Sequence, residues 1–228
     1  MDTEIAMILS GILFWFILIL WLVMAVFGYK VGLGPYDSDT ELQGINNNPK
    51  KLKIGIALAL ISHCSVIALA ILLFIVFSSY NIILGIVWLT FRIGEGLSLI
   101  YNEKNYWGLL SIAKRYSGAN GDEKKSLGDL ASTILKAHDS RFPFTQLLWS
   151  IGTLAFSIVL VTYEVVPPII GWLGIVAGIL GCFINGIKLA KPDFKKLSLK
   201  ALLAIGGLSG ILFEIIIGGW LLFVHTIP

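Results

Sequence analysis

Residues 5–27 read IAMILSGILFWFILILWLVMAVF. None of these positions carries a charge, and at about 1.5 Å per helical residue the run crosses a hydrocarbon layer of about 30 Å. Inside lipid every backbone amide and carbonyl must be satisfied within the segment. No alternating barrel pattern is present, so a helix is the only solution. Working outward, five further apolar runs follow: Ile54 to Phe77, Ile82 to Ile100, Phe144 to Tyr163, Ile169 to Leu189 and Leu199 to Val224. The sequence therefore predicts an all-α, polytopic transmembrane helical bundle of about six spans, one domain over residues 1–228.

Composition agrees. Of the 228 residues 57% are hydrophobic and 14% charged, with a mean hydropathy of +0.87. Soluble domains carry about a quarter charged residues, so a soluble class is excluded. The first run is long enough to span, and the Met-Asp-Thr-Glu start lacks the basic segment of a cleavable signal peptide. Cys64 and Cys182 lie within apolar runs, without the spacing of a metal site or the setting of a structural disulfide.

The connections differ in kind. Residues 78–81 and 164–168 are tight, and Pro167-Pro168 fixes the second of these turns. Residues 28–53, 101–143 and 190–198 are polar. The segment 101–143 predicts two amphipathic surface helices, Trp107 to Lys114 and Leu127 to His138, broken at Gly118-Ala119-Asn120-Gly121. Lys30, Lys50, Lys51 and Lys53 fall on the first polar connection. Lys104, Lys114, Arg115, Lys124, Lys125, Lys136 and Arg141 fall on the second, and Lys188, Lys191, Lys195, Lys196 and Lys200 on or beside the third. With 16 of the 17 basic residues on one side, the positive-inside rule makes that side cytoplasmic and both termini external. The expected location is the plasma membrane of the cell. The expected partners are membrane lipids, with anionic headgroups on the basic face, and either a membrane-protein partner or a further copy of the chain. Nucleic acid is excluded, because the basic residues form no single patch.

The seventeenth basic residue is Arg92, about 16 Å into the third span. A charge at that depth costs at least about 2.5–3.5 kcal/mol. Glu95 lies one helical turn on and faces the same side, on a stripe that runs from Trp88 to Asn102. Glu214 lies in the sixth span at a comparable depth, among Gly207, Gly210 and Gly218, which let another helix approach closely. Arg92, Glu95 and Glu214 are thus expected to form one buried cluster with a formal charge of −1. That imbalance is what a proton- or cation-coupled site needs. His63, flanked by Ser62 and Ser65 in the second span, joins the candidate intramembrane polar residues. A haem needs paired axial ligands, and His138 and His225 fall outside the spans, so no cofactor is expected. No catalytic or metal-binding motif is present, and Gly32-x-Gly34 does not follow a strand. In the fifth span Gly171, Gly174, Gly178 and Gly181 share a stripe with Asn185 and Lys188, predicting a close helix contact and an interfacial anchor.

Four features together resemble a known family: Phe91-Arg92-x-x-Glu95; Ala137-His138-Asp139; Pro167 followed by Trp172-Leu173-Gly174; and Glu214 followed by Trp220. They are similar to domain-of-unknown-function family 4386, prokaryotic multi-pass membrane proteins, over most of the chain from about residue 54. The chain differs at Phe213, where the family commonly carries Asn. The resemblance implies a bundle of six or seven spans and no assigned activity.

Three readings follow. In the first, a small-solute or ion transporter or channel uses the Arg92, Glu95 and Glu214 cluster. In the second, a non-catalytic membrane subunit or binding protein uses the cluster only to fix its helices. In the third, an intramembrane enzyme acts on lipid.

Overall fold

The computed structural model describes residues 2–27, 29, 37–191 and 197–224, with the side chains of 197–201 and 203 excepted. Lys30, Gly32, Gly34, Lys195, Lys196 and His225 lie outside the described residues.

The described chain is helical from end to end: α1 Thr3–Val26, α2 Ser38–Asn47, α3 Pro49–Phe77, α4 Ile82–Trp107, α5 Leu109–Gly118, α6 Gly121–Thr162, α7 Pro168–Ala190 and α8 Leu197–Phe223. Six stretches are long and apolar enough to cross a membrane: Thr3–Val26, Pro49–Phe77, Ile82–Gly118, Gly121–Thr162, Pro168–Ala190 and Ala204–Phe223. They fall on the six expected runs, and the chain is a multi-pass helical membrane protein.

The connections hold more structure than their polarity suggested. The 28–53 connection contains α2 and the first turn of α3. Asp37 caps α2 by accepting hydrogen bonds from the Asp39 amide at 3.3 Å and the Thr40 hydroxyl at 2.5 Å. α4 runs on to Trp107 instead of stopping at the expected 100. The separate surface helix expected over Leu127 to His138 does not exist: those residues are continuous with the fourth span in the 42-residue α6, which carries Pro143 inside it. One proline removes a single rung of the helical ladder, and the i, i+4 bonds on either side hold the helix together. The expected break before α6 is present. Gly121 starts α6 with φ +55°, a left-handed conformation that glycine adopts without steric cost.

Contacts divide the chain into two compact units. Unit 1 comprises Met1–Leu18, Cys64–Leu97 and Pro143–Pro228, and unit 2 comprises Ile19–His63 and Ser98–Phe142.

In unit 1, α7 packs on α8, and its glycine stripe lies against α6 as expected. A methyl group on Gly178 would stand 2.8 Å from Leu154 Cβ and 3.0 Å from its Cα. Methyl groups on Gly171, Gly174 and Gly181 would run into Val161, Ser157 and Ser150. Hydrogen at each position lets α7 approach the backbone of α6. Asn185, at the end of the stripe, returns its amide to the Gly181 carbonyl at 2.8 Å.

In unit 2, α2 packs on α5. Leu42 and Ile45 of α2 join Leu109, Ile112 and Tyr116 of α5 and Leu127, Ala131 and Leu135 of α6 in one buried apolar cluster. The amphipathic faces read in residues 101–143 therefore bury against protein.

Candidate functional site

In unit 1 the site is built on one face of α4. Arg92 Nη1 donates to Glu95 Oε2 at 2.7 Å, and the two residues are 2% and 4% exposed. The spacing of one turn in a straight helix brings them together without any loop. One turn earlier Trp88 places its ring under the guanidinium, 5.2 Å from centroid to Cζ. The Trp88 indole donates to the Ala70 carbonyl at 3.1 Å, which fixes the ring. On the α6 side the aliphatic stem of Arg92 lies over Gly152, where a methyl group would come within 3.0 Å of Cγ and 3.1 Å of Cδ. Arg92 thus has a floor of tryptophan and a wall whose side chain is a hydrogen atom.

Glu214 is partly buried in α8 and accepts a hydrogen bond from Trp149 Nε1 at 3.0 Å. It also lies within electrostatic reach of both Arg92 and Glu95. The three expected residues therefore come together in unit 1. The direct ion pair is Arg92 with Glu95, and Glu214 takes its hydrogen bond from Trp149. Trp149 was not anticipated. In the sequence it is one aromatic residue in an apolar span, and its role follows only from α6 and α8 lying side by side. Gly210 is part of that fit, since a methyl group there would stand 2.8 Å from the Trp149 ring.

Phe213, the position that departs from the family pattern, is 1% exposed and packs against Phe156 with ring centroids 6.4 Å apart. It fills the space above Gly174, so the neighbour of Glu214 is apolar. Two buried polar atoms of this unit have no hydrogen-bond partner among the described residues, Arg92 Nε and Ser157 Oγ. A buried donor or acceptor left bare costs about 1–3 kcal/mol.

His63 belongs to unit 2. Its Nε2 stands 3.4 Å from Oε1 of Glu103, and both residues are buried. The same Oε1 accepts the phenolic hydrogen of Tyr29. Gly55 makes room for Tyr29, because a methyl group there would stand 3.1 Å from the Tyr29 ring. Tyr106, one turn beyond Glu103 on α4, packs edge-on against Tyr29 at 5.4 Å and lies tilted by 35° against the His138 ring at 4.7 Å. His138 is 4% exposed, so this position, read in the sequence as part of a surface helix, is in the core of unit 2. Glu103 escaped the sequence reading because the third span was ended at Ile100, Tyr29 was not singled out, and His138 was read as lying outside the spans. Extending α4 by two turns puts Glu103 and Tyr106 on one face, and the i, i+3 spacing is the signal that would have exposed them.

A family model described as "Domain of unknown function (DUF4386)" matches residues 9–224, nearly the whole chain. No curated protein and no solved structure matches.

Proposed function

This chain belongs to the DUF4386 family of multi-pass membrane proteins, and we propose that it is a carrier or channel for a small solute or ion, coupled to a proton or monovalent cation bound at Arg92, Glu95 and Glu214. One observation supports this reading above the others. Two carboxylates lie within reach of a single guanidinium, so the set bears a formal charge of −1 when both acids are ionised. An uncompensated charge in low-dielectric surroundings is expensive enough that the group neutralises. A proton on one acid does this, and so does a bound cation. A site that alternates between these states can couple their movement to that of a solute. By the positive-inside argument the basic connections face the cytoplasm and both termini lie outside, in the plasma membrane.

A specific observation favours a second reading, in which the set only fixes the helices. Each acid already has a partner of its own, Arg92 for Glu95 and Trp149 for Glu214. Reconstitution separates the two. Purified protein in sealed liposomes is given an inward proton, sodium or potassium gradient, and flux is followed with an entrapped indicator. Coupling at this site predicts flux in the parent protein that Glu95→Gln and Glu214→Gln reduce at least tenfold while remaining folded. No flux in the parent, with variants that lose only stability, overturns the carrier reading and leaves the structural one.

A further inference from the structure

The geometry points to a binding site for the phosphate of an anionic lipid headgroup, built from Arg141 and Lys104 of unit 2. Two apolar runs stop beside it. The third ends at Ile100 and the fourth begins at Phe144, so Tyr101 and Arg141 each stand next to a hydrocarbon boundary. The two residues meet. The Arg141 guanidinium lies 5.4 Å over the Tyr101 ring, and its Nη1 donates to Oδ1 of the buried Asn102 at 3.2 Å. That contact sets both boundaries at one level. Beyond it α4 continues through Lys104 to Trp107, about 9 Å at 1.5 Å per residue. One headgroup layer is about 5–8 Å thick. Tyr101 and Trp107 are 60% and 50% exposed, as aromatic residues at a membrane–water boundary are.

Among the described residues neither Arg141 nor Lys104 forms an ion pair. Arg141 is half-buried, and the group it bonds is a neutral amide. A guanidinium carries five N–H donors in a rigid fork, so this bond leaves most of the fork for a ligand. Asn102 and Tyr101 hold its plane in place beforehand, which lowers the cost of binding. Lys104 is exposed and lies one turn from Tyr101 on the same side of α4. A fixed fork and a mobile point charge together suit the oxygens of a phosphodiester. A choline headgroup suits them less well, because its ammonium seeks an aromatic face and the Tyr101 ring already carries Arg141.

Position separates this pair from the general attraction of a basic face. Lys125 is also exposed, but it lies 16 residues before Arg141 on the same helix, about 24 Å away at the helical rise. That distance puts Lys125 beyond the headgroup layer, whereas lipid supplies phosphate at the level of Arg141 and Lys104.

Native mass spectrometry of the full chain tests this, with the protein released from micelles that carry phosphatidylglycerol and phosphatidylcholine in equal amounts. The expected result is preferential retention of phosphatidylglycerol. Each cation near a membrane surface accounts for about fivefold in binding an anionic lipid. Arg141→Gln and Lys104→Gln should therefore each lower the preference about fivefold, and Lys125→Gln should leave it unchanged. The exposed Lys104 covers the case in which Arg141→Gln does not fold. No preference in the parent protein, a preference kept in a folded Arg141→Gln or in Lys104→Gln, or an equal loss in Lys125→Gln overturns the proposal. So does displacement of phosphatidylglycerol by inorganic phosphate at the same concentration, which would make free phosphate the ligand.

Discussion

Trp149 of α6 donates its indole hydrogen across 3.0 Å to the Glu214 carboxylate of α8, so the acid is tied to a neighbouring helix by an aromatic side chain. Phenylalanine at position 149 keeps most of the ring and removes the donor. Trp149→Phe is expected to cost about 1–3 kcal/mol, the range for leaving a buried acceptor without its hydrogen bond. Denaturant titration in mixed micelles reads the loss. An unchanged midpoint would mean that Glu214 does not depend on the bond.

The Arg92–Glu95 pair predicts non-additivity. Removing one member leaves the other buried without its partner, at a cost of about 3–5 kcal/mol, whereas replacing both with apolar residues of similar volume is close to neutral. Arg92→Met and Glu95→Leu should each be strongly destabilised, and the double variant should recover most of the loss in the same titration. Additive effects would show that the two groups do not act as a unit.

The α6–α7 contact rests on hydrogen atoms. Gly178→Ala places a methyl group 2.8 Å from Leu154 Cβ and 3.0 Å from its Cα, where backbone must move. Such overpacking costs about 1–3 kcal/mol. Gly186, on the same helix, has open space at its methyl position, so Gly186→Ala should be neutral or stabilising by about 0.5–1 kcal/mol through helix propensity alone. Equal effects at the two positions would remove the close contact from the account.

Much of this was legible in the sequence, for physical reasons. A hydrocarbon layer demands uninterrupted apolar runs, so all six spans could be read from length and composition. Arg92, Glu95 and Glu214 stood out because charge is so costly there, and the structure brings them together. The glycine stripe at 171, 174, 178 and 181 was readable because small residues at helical spacing have few other uses in a span. The polar connections were less legible. Leu127 to His138 looked like a surface helix because amphipathicity cannot distinguish a face turned to lipid headgroups from one turned to protein, and it proved to be part of α6. His138 was accordingly placed outside the spans, and Glu103 was missed because the third span was ended too early. His63 was found, but its partner lay beyond the expected end of α4. Trp149 gave no signal because an indole N–H becomes a site component only through its neighbour on another helix.

Orientation can be tested by labelling. Cys64 and Cys182 are free and can both be replaced by Ala. In that background Ser79→Cys, on a short connection without basic residues, should react with a membrane-impermeant maleimide in sealed cells. Lys125→Cys, on the most basic connection, should react only after permeabilisation. The reverse pattern would invert the proposed topology.

The proposed coupling requires Arg92, Glu95 and Glu214 to hold one negative charge too many and to neutralise it with something exchangeable. Counting protons tests it most directly. In potentiometric titration of the detergent-solubilised protein from about pH 4 to pH 10, with and without sodium or potassium, the parent should exchange one proton, or one proton displaced by cation, more than Glu214→Gln does. Identical titration curves for the two proteins, in every salt, would contradict it.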